Sequence, residues 1–325
     1  MWRGRTARQR PAAPPNVMLP GVGESHYVVF TAALLDVVGI DLITSARRHA
    51  PPSARGAAVW VAAWLAIAAG FGVWIGHVYG TPQSLTFFAA YLTEEALSLD
   101  NMMVFVAVFG YFAIPSALQH RVLGWGILGA VLMRALMIVA GVELLDRVGW
   151  ITYAFGAFLV VGGLRLLRPK QGEARTGGGV LRVVNRIVPV TSGLRGAAFF
   201  CREAGRFAVT PLFVTLVVIE LTDVVFATDS IPAVFGVTRD PYLVYTSNIL
   251  AVLGMRSLYF LIAGVLPRLR FLRYGLAAIL VFVGGKMLAA DVVDIPIGVS
   301  LGFIVLALAV ATAASIGWSR RRDHR

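Results

Sequence analysis

The stretch TEEALSLDNMMVF, residues 93–105, places three carboxylates inside an apolar run that is long enough to cross a membrane. Each of the three, Glu94, Glu95 and Asp100, would cost about 2.5–3.5 kcal/mol near the centre of a bilayer if it were ionised. Charged residues in membrane helices usually face the protein interior and serve a function. What surrounds this stretch therefore decides the fold and the function that we expect.

The composition is that of a membrane protein. Of the 325 residues, 58% are hydrophobic and 14% are charged, and the mean hydropathy is +0.77; soluble domains contain about 25% charged residues. The apolar residues form blocks of about 20 or more, the length of a membrane-spanning helix. We predict an all-α polytopic membrane protein with about nine transmembrane helices, at 27–46, 57–79, 85–112, 121–144, 148–168, 207–231, 241–266, 272–290 and 295–317.

The net charge of +12 comes mainly from arginines between the apolar blocks. This distribution is typical of the positive-inside rule and does not predict nucleic-acid binding. It places the C-terminus in the cytoplasm, with the chain integral to the membrane. Four arginines within residues 1–10 oppose this pattern, so the side of the N-terminus stays open. The single cysteine, Cys201, excludes a disulfide framework and a thiolate metal cluster.

The apolar blocks divide the chain into five regions. We predict a disordered basic tail, two transmembrane halves joined by a basic cytoplasmic linker, and a basic cytoplasmic tail, at 1–24, 25–168, 169–206, 207–318 and 319–325. The linker sequence VLRVVNRIVPV, residues 180–190, favours a short amphipathic surface helix.

The two halves resemble each other. AVLMRALMIVAGVELL (residues 130–145) is similar to AVLGMRSLYFLIAGVL (251–266), and an acidic segment precedes each. We pair Asp100 with Asp223, because their separations from Arg134 and Arg256 are nearly the same. Two further spans lie between the acidic segments, so the halves would cross the membrane in opposite directions. This arrangement is typical of inverted-repeat transporters, whose ion sites lie on discontinuous helices near the midplane. Chance similarity among Ala, Leu and Val is the alternative.

The buried charges do not balance. We expect Arg134, Arg256 and Lys286 to balance charge or to gate, and pairing with them could explain any single acid. At most three cations nevertheless face at least five acids, so the set needs protons or a bound cation. This imbalance suggests exchange between metal and protons at one site.

Oxygen donors dominate the acidic segments. Pro232 follows Asp229 and favours a helix break that would free backbone carbonyls as ligands. Oxygen ligands suit Mg²⁺, Ca²⁺ or Mn²⁺ rather than copper or zinc. Glu95 is the doubtful acid, since it could turn toward Arg134 or solvent, and Glu143 is predicted to form a surface pair with Arg147. The predicted metal ligands are Glu94, Asp100, Asn101, Glu220, Asp223, Asp229 and Ser230.

Two long motifs resemble the signature blocks of the TerC family. They begin at EEALSLDNMMVF (residues 94–105) and ELTDVVFATDSIPAVF (220–235), and the similarity covers most of residues 27–290. The resemblance implies a protein of the bacterial cytoplasmic (plasma) membrane and of the LysE-type transporter superfamily. Several bacterial members of the family, the Alx-type ones, export manganese, and the family was named for tellurium resistance. The resemblance also implies that the family acids lie at Glu94, Asp100, Glu220, Asp223 and Asp229. Glu95 departs from the family pattern, which often has Lys there.

Two functions follow as alternatives. The first is export of a divalent metal ion, Mn²⁺ before Ca²⁺ or Fe²⁺, in exchange for protons. The second is a membrane factor for tellurite tolerance or membrane-protein biogenesis that transports nothing itself. We find none of the HExxH, GxSxG or DDxxD motifs and do not predict an enzyme. We expect no permanently bound cofactor. The expected partners are the transported ion and the lipid bilayer, and homo-oligomer formation stays open.

Overall fold

The computed structural model describes residue 19 and residues 22–46, 54–167, 190–191, 193–203, 206–263, 271–293 and 295–323. Most of the predicted tail at 1–24, most of the linker at 169–206 and the predicted surface helix at 180–190, apart from Val190, lie outside these residues. The described part contains nine helices and one hairpin: α1 Glu24–Ala46, α2 Ala54–Tyr79, α3 Thr81–Tyr111, α4 Ser116–Arg147, α5 Ile151–Leu166, β1 Phe200–Glu203, β2 Arg206–Val209, α6 Pro211–Val237, α7 Pro241–Ile262, α8 Leu272–Leu288 and α9 Ile297–Asp323.

The helices follow the nine predicted segments closely. Five of them, α2, α4, α6, α7 and α9, contain stretches that are long and apolar enough to cross a membrane. Many side chains on α2, α4 and α9 stay exposed although they are apolar, as lipid-facing residues would be. The all-α membrane class is confirmed, and the number of spans stays a prediction.

Prolines mark where the central helices begin. Pro82, Pro211 and Pro241 lie in the first turns of α3, α6 and α7. Proline has no backbone N–H to leave unpaired and its φ suits a helix, so it fits the first turn well. Before α3, Gly80 has φ of +105°, which a residue with a side chain rarely adopts.

The start of the sixth predicted segment differs from the structure. Residues 206–209 form strand β2, which pairs antiparallel with β1, and α6 begins only at Pro211. The N–H of Thr210 donates to the Phe199 carbonyl at 3.0 Å, so the hairpin holds the chain extended up to the proline. The pattern of apolar residues in the sequence cannot distinguish such a short strand from the start of the helix that follows it.

The two acidic helices are continuous, so the prediction that they are interrupted is wrong. α3 runs from Thr81 to Tyr111, and α6 runs from Pro211 to Val237 with Pro232 inside it. Pro232 lies in the last turns of α6, where it removes only one backbone hydrogen bond. Packing against neighbouring helices allows membrane helices to tolerate such a proline.

Four helices form the centre of the molecule. α3 packs against α6 and α7, and α4 packs against the same two helices. The C-terminal half of α3, with Phe105 and Phe109, shares a buried apolar cluster with Leu212 at the beginning of α6, whereas Ala90 shares another with Ile231. α3 and α6 are therefore antiparallel, as the sequence predicted. In the predicted repeat, α3 corresponds to α6 and α4 corresponds to α7. The observed packing of these helices has the same symmetry, which is consistent with the repeat.

The structure changes the register of that repeat. Thr86 Oγ1 donates to the Pro82 carbonyl in α3, and Thr215 donates to Pro211 in α6, both at 2.8 Å. Thr93 and Thr222 bond back in the same way at 2.7 Å. These threonines pair only when the two helices are aligned from their Thr-Pro starts. The alignment then matches Glu94 with Asp223 and Asp100 with Asp229, so these hydrogen bonds favour this register over pairing Asp100 with Asp223.

Polar contacts tie the helix ends together at one end of the bundle. The Leu19 N–H donates to Asp240 at 2.5 Å, and the same carboxylate caps α7 by accepting from Tyr242 and Leu243. Arg239 donates to Thr152 Oγ1 at 2.7 Å. Residue 19 therefore lies on the same side as the α6–α7 loop, where the positive-inside argument had placed few arginines.

Glycines allow α5 and α8 to approach closely. A Cβ added at Gly163 would lie 2.8 Å from the Ala277 carbonyl oxygen, and one at Gly156 would lie 2.9 Å from the Gly284 carbonyl. Small residues are common at helix interfaces in membranes, where burying apolar surface gives little driving force. Close backbone packing therefore stabilises this pair.

We expect Gly163→Ala to destabilise the protein by about 1–3 kcal/mol, because the methyl group would overpack the α5–α8 contact. Gly162→Ala is the matched control, since a Cβ there meets nothing within 4 Å. Thermal unfolding in detergent should show a lower midpoint for the first variant only. Equal midpoints would contradict the proposed role of close packing.

Candidate functional site

A fully buried arginine joins the four central helices. Arg134 on α4 is 0% exposed. Its Nε and Nη2 donate to Oδ2 and Oδ1 of Asp223 on α6, at 3.2 and 3.1 Å. Its Nη1 contacts the Glu94 carboxylate on α3 and lies 3.3 Å from Asn248 Oδ1 on α7. Each of the four central helices thus contributes one polar side chain to this group, which we call the Arg134 cluster.

The cluster explains how two predicted ligands are accommodated. Glu94 is fully buried and Asp223 is nearly so. A buried carboxylate is tolerated when an opposite charge and hydrogen bonds compensate for the lost water. The fork of a guanidinium group matches the two oxygens of Asp223, a geometry that makes the pair directional. Pairing with Arg134, weighed in the sequence as the alternative for single acids, is what the structure contains for these two.

Asp100 and Asp229 form the second acidic group. Their carboxylates are close enough to repel each other electrostatically, and both residues are half-buried. In the corrected register they are equivalent positions of α3 and α6. The next residues, Asn101 and Ser230, are also equivalent and are buried, and their Nδ2 and Oγ atoms have no hydrogen-bond partner.

Glu220 lies in a notch on α4. A Cβ added at Gly129 would come within 2.5 Å of its Cδ, so only a glycine leaves room for the carboxylate there. A small cavity beside Glu220 is also lined by Asp223 and Arg256, with apolar side chains around them. Glu220 is near enough to Asp223 for the two charges to interact.

The predicted ligand set is thus divided rather than gathered at one point. Ser230 lies beside Glu94 without a well-formed hydrogen bond to it. Among the described residues, no three or more His, Cys, Asp or Glu side chains form a group that could hold a metal ion. Lys286 donates to Ser300 on α9 at 3.2 Å. The metal-binding roles of the set stay a prediction.

Glu95 turns toward neither Arg134 nor open solvent. It accepts a hydrogen bond from Tyr91 at 2.7 Å and lies near Gly254 on α7, where the Trp64 ring of α2 also packs. Glu143 behaves as predicted, because it pairs with Arg147 at the surface, with both side chains mostly exposed.

Two features of the site were missed in the sequence. Asn248 belongs to the run Thr246–Ser247–Asn248, three polar residues that are each 0% exposed on an otherwise apolar helix. Such a polar run inside an apolar span was the available signal. The glycines opposite Glu220 gave no comparable signal, because glycine is frequent throughout membrane helices.

A bundle of apolar helices with buried and half-buried acids at its centre defines an integral membrane protein with a polar intramembrane core. Residues 79–324 match the family model described as "Integral membrane protein TerC family". The chain belongs to this family, as its motifs had indicated.

Several membrane proteins are similar to this chain over nearly their whole length. "Uncharacterized membrane protein STKORF319" of Myxococcus xanthus is 41% identical over 94% of this chain and 95% of its own length. "Putative membrane-bound redox modulator Alx" of Escherichia coli K12 is 42% identical over 91% of this chain and 95% of its own length. A Rickettsia bellii membrane protein is 33% identical over 89% and 96%. No solved structure matches this chain significantly.

We expect Arg134→Met to destabilise the protein by about 3–5 kcal/mol, because it leaves buried carboxylates without their cation. The triple variant with Glu94→Gln and Asp223→Asn should recover much of this loss. Unfolding free energies in detergent measure both effects. Arg147→Gln, which removes the exposed pair with Glu143, is the control and should change little. A triple variant no more stable than Arg134→Met would argue against charge compensation.

Proposed function

We propose that the protein exports a divalent metal ion, Mn²⁺ in preference to Ca²⁺ or Fe²⁺, in exchange for protons. This function is more specific than what family membership and the names of the relatives indicate. It is transport without covalent chemistry, and the ion is the cargo rather than a resident cofactor.

The surplus of carboxylates over buried arginines in the central helices carries the proposal. Six acids lie on α3 and α6, whereas Arg134 and Arg256 are the buried arginines that the structure describes in the four central helices. Glu94 and Asp223 share Arg134, whereas Asp100 and Asp229 repel each other. Repulsion between carboxylates in a poorly solvated interior is relieved by protons or by a cation. Exchange of protons for a metal ion requires at least one site that can bind either a proton or the metal ion.

The donor chemistry favours a hard divalent ion. The carboxylates, the Asn101 amide and the Ser230 hydroxyl offer oxygen atoms, which suit Mn²⁺, Ca²⁺ and Mg²⁺. Oε2 of Glu94 and Oγ of Ser230 are buried and have no hydrogen-bond partner. Buried polar atoms without partners are uncommon and call for an explanation such as an ion or water. Because both helices are continuous, the ligands would be side chains rather than freed carbonyls.

We expect Asp100→Asn and Asp229→Asn each to weaken apparent Mn²⁺ affinity at least about tenfold, which corresponds to about 1.4 kcal/mol. Each removes a charge from the pair without breaking the Arg134 cluster. The measurement is Mn²⁺ flux into vesicles that contain the purified protein, followed with an internal indicator at several metal concentrations.

Glu143→Gln is the matched control, since it removes a carboxylate that lies at the surface. Thermal midpoints of all variants should stay close to the wild-type value, so that lost flux cannot be attributed to unfolding. Unchanged flux in both aspartate variants would refute the proposal.

The second candidate, a membrane factor that transports nothing, is favoured by one observation. Arg134 holds Glu94 and Asp223 in the way that acids serving only helix pairing would be held. In that case the acids would have no use for a metal.

A thermal shift separates the two functions. If the acids bind the transported ion, Mn²⁺ should raise the unfolding midpoint as its concentration passes the dissociation constant. Asp100→Asn should abolish the shift. If Mn²⁺ does not change the unfolding midpoint of the wild-type protein, the non-transport factor is favoured.

A further inference from the structure

The hairpin before α6 presents an aromatic face to its surroundings. Phe200 and Phe207 are 50% and 57% exposed, and their rings stack with centroids 5.7 Å apart. Arg202 pairs with Phe207 across the strands and is exposed as well. Side chains alternate along a strand, so these three residues share one face of the hairpin.

This face is joined firmly to α6. Thr210, which precedes the helix, is 0% exposed, and its hydroxyl donates to the Ala198 carbonyl at 2.7 Å. The Phe200 ring lies 4.7 Å from the ring of Phe213, in the first turn of α6. The exposed aromatic surface therefore continues from the hairpin onto a helix that is apolar and long enough to cross a membrane.

Cations accompany the aromatic rings. The guanidinium group of Arg121, an exposed residue near the start of α4, lies 5.3 Å from the ring centre of Phe199. Together with Arg202 it places positive charge beside the phenylalanines. Aromatic rings at the level of lipid headgroups and arginines near anionic lipid are a common combination at membrane surfaces.

We propose that the face formed by Phe200, Arg202 and Phe207 lies in the headgroup region of the surrounding bilayer and binds anionic lipid. Its continuity with α6 favours the bilayer over a soluble partner, since a protein docked there would have to reach into the membrane surface. The two phenylalanines enter the boundary between headgroups and acyl chains, and Arg202 contacts lipid phosphate. Because the hairpin is bonded to Thr210, this contact fixes the depth of the α6 end that leads to Glu220 and Asp223.

A spin label reports the position of the face directly. Cys201 is the only cysteine, so Cys201→Ser gives a background without reactive thiols. Phe207→Cys is labelled in this background, and the protein is placed in phosphatidylcholine vesicles with or without phosphatidylglycerol. Oxygen, which concentrates in lipid, and a water-soluble nickel complex present on both sides then compete to relax the label. We expect oxygen to dominate at residue 207, and more so with phosphatidylglycerol.

Gly193→Cys in the same background is the control, because this exposed position has open space for a side chain. The nickel complex should dominate there. Nickel dominance at residue 207 would overturn the proposal. Protection from both reagents would overturn it too, since it would mean that protein covers the face. If phosphatidylglycerol changes nothing, or if Arg202→Gln leaves its effect intact, the assignment to anionic lipid is wrong. The readout does not depend on metal transport.

Discussion

The guanidinium group of Arg134 is the interaction on which the central helices depend. A buried arginine is costly in a membrane, and so are the carboxylates of Glu94 and Asp223. Together they compensate one another, because Arg134 donates to both acids and reaches Asn248 on the fourth helix. Each central helix therefore has one polar group that must lie at the level of this guanidinium, and sliding any helix along its axis would separate a pair. Apolar contacts between membrane helices are less selective, since lipid offers a similar environment.

Outside that centre, different forces hold the molecule. Polar contacts such as Leu19 to Asp240 and Arg239 to Thr152 join helix ends. Glycines bring α5 and α8 into close contact along their length. The lipid-facing sides of α2, α4 and α9 leave apolar residues exposed. These contacts thus enclose the polar interior by apolar packing and by single hydrogen bonds rather than by further pairs of opposite charges.

Much of this could be predicted from the sequence, and the exceptions have physical causes. Apolar runs of about 20 residues and prolines in first turns define membrane helices locally, so the nine segments match the helices. The acidic residues were found because charge in such a run is expensive. Their partners depend on packing between distant segments, which periodicity does not encode. Pro232 suggested a break because its position near the helix end was not known, and the repeat register became clear only from the matching hydrogen bonds of Thr86, Thr93, Thr215 and Thr222.

The aligned positions of α3 and α6 have different surroundings. Glu94 and Asp223 are equivalent positions, and so are Asp100 and Asp229, yet their surroundings differ. In the first pair, Arg134 makes a bidentate contact with Asp223 and a monodentate contact with Glu94. The carboxylates of the second pair repel each other. A pair of helices that matches position by position can therefore differ in its contacts, because Arg134 on α4 lies at the level of Glu94 and Asp223. Two carboxylates that repel each other favour a proton or a cation between them, so the proposed ion exchange would involve Asp100 and Asp229.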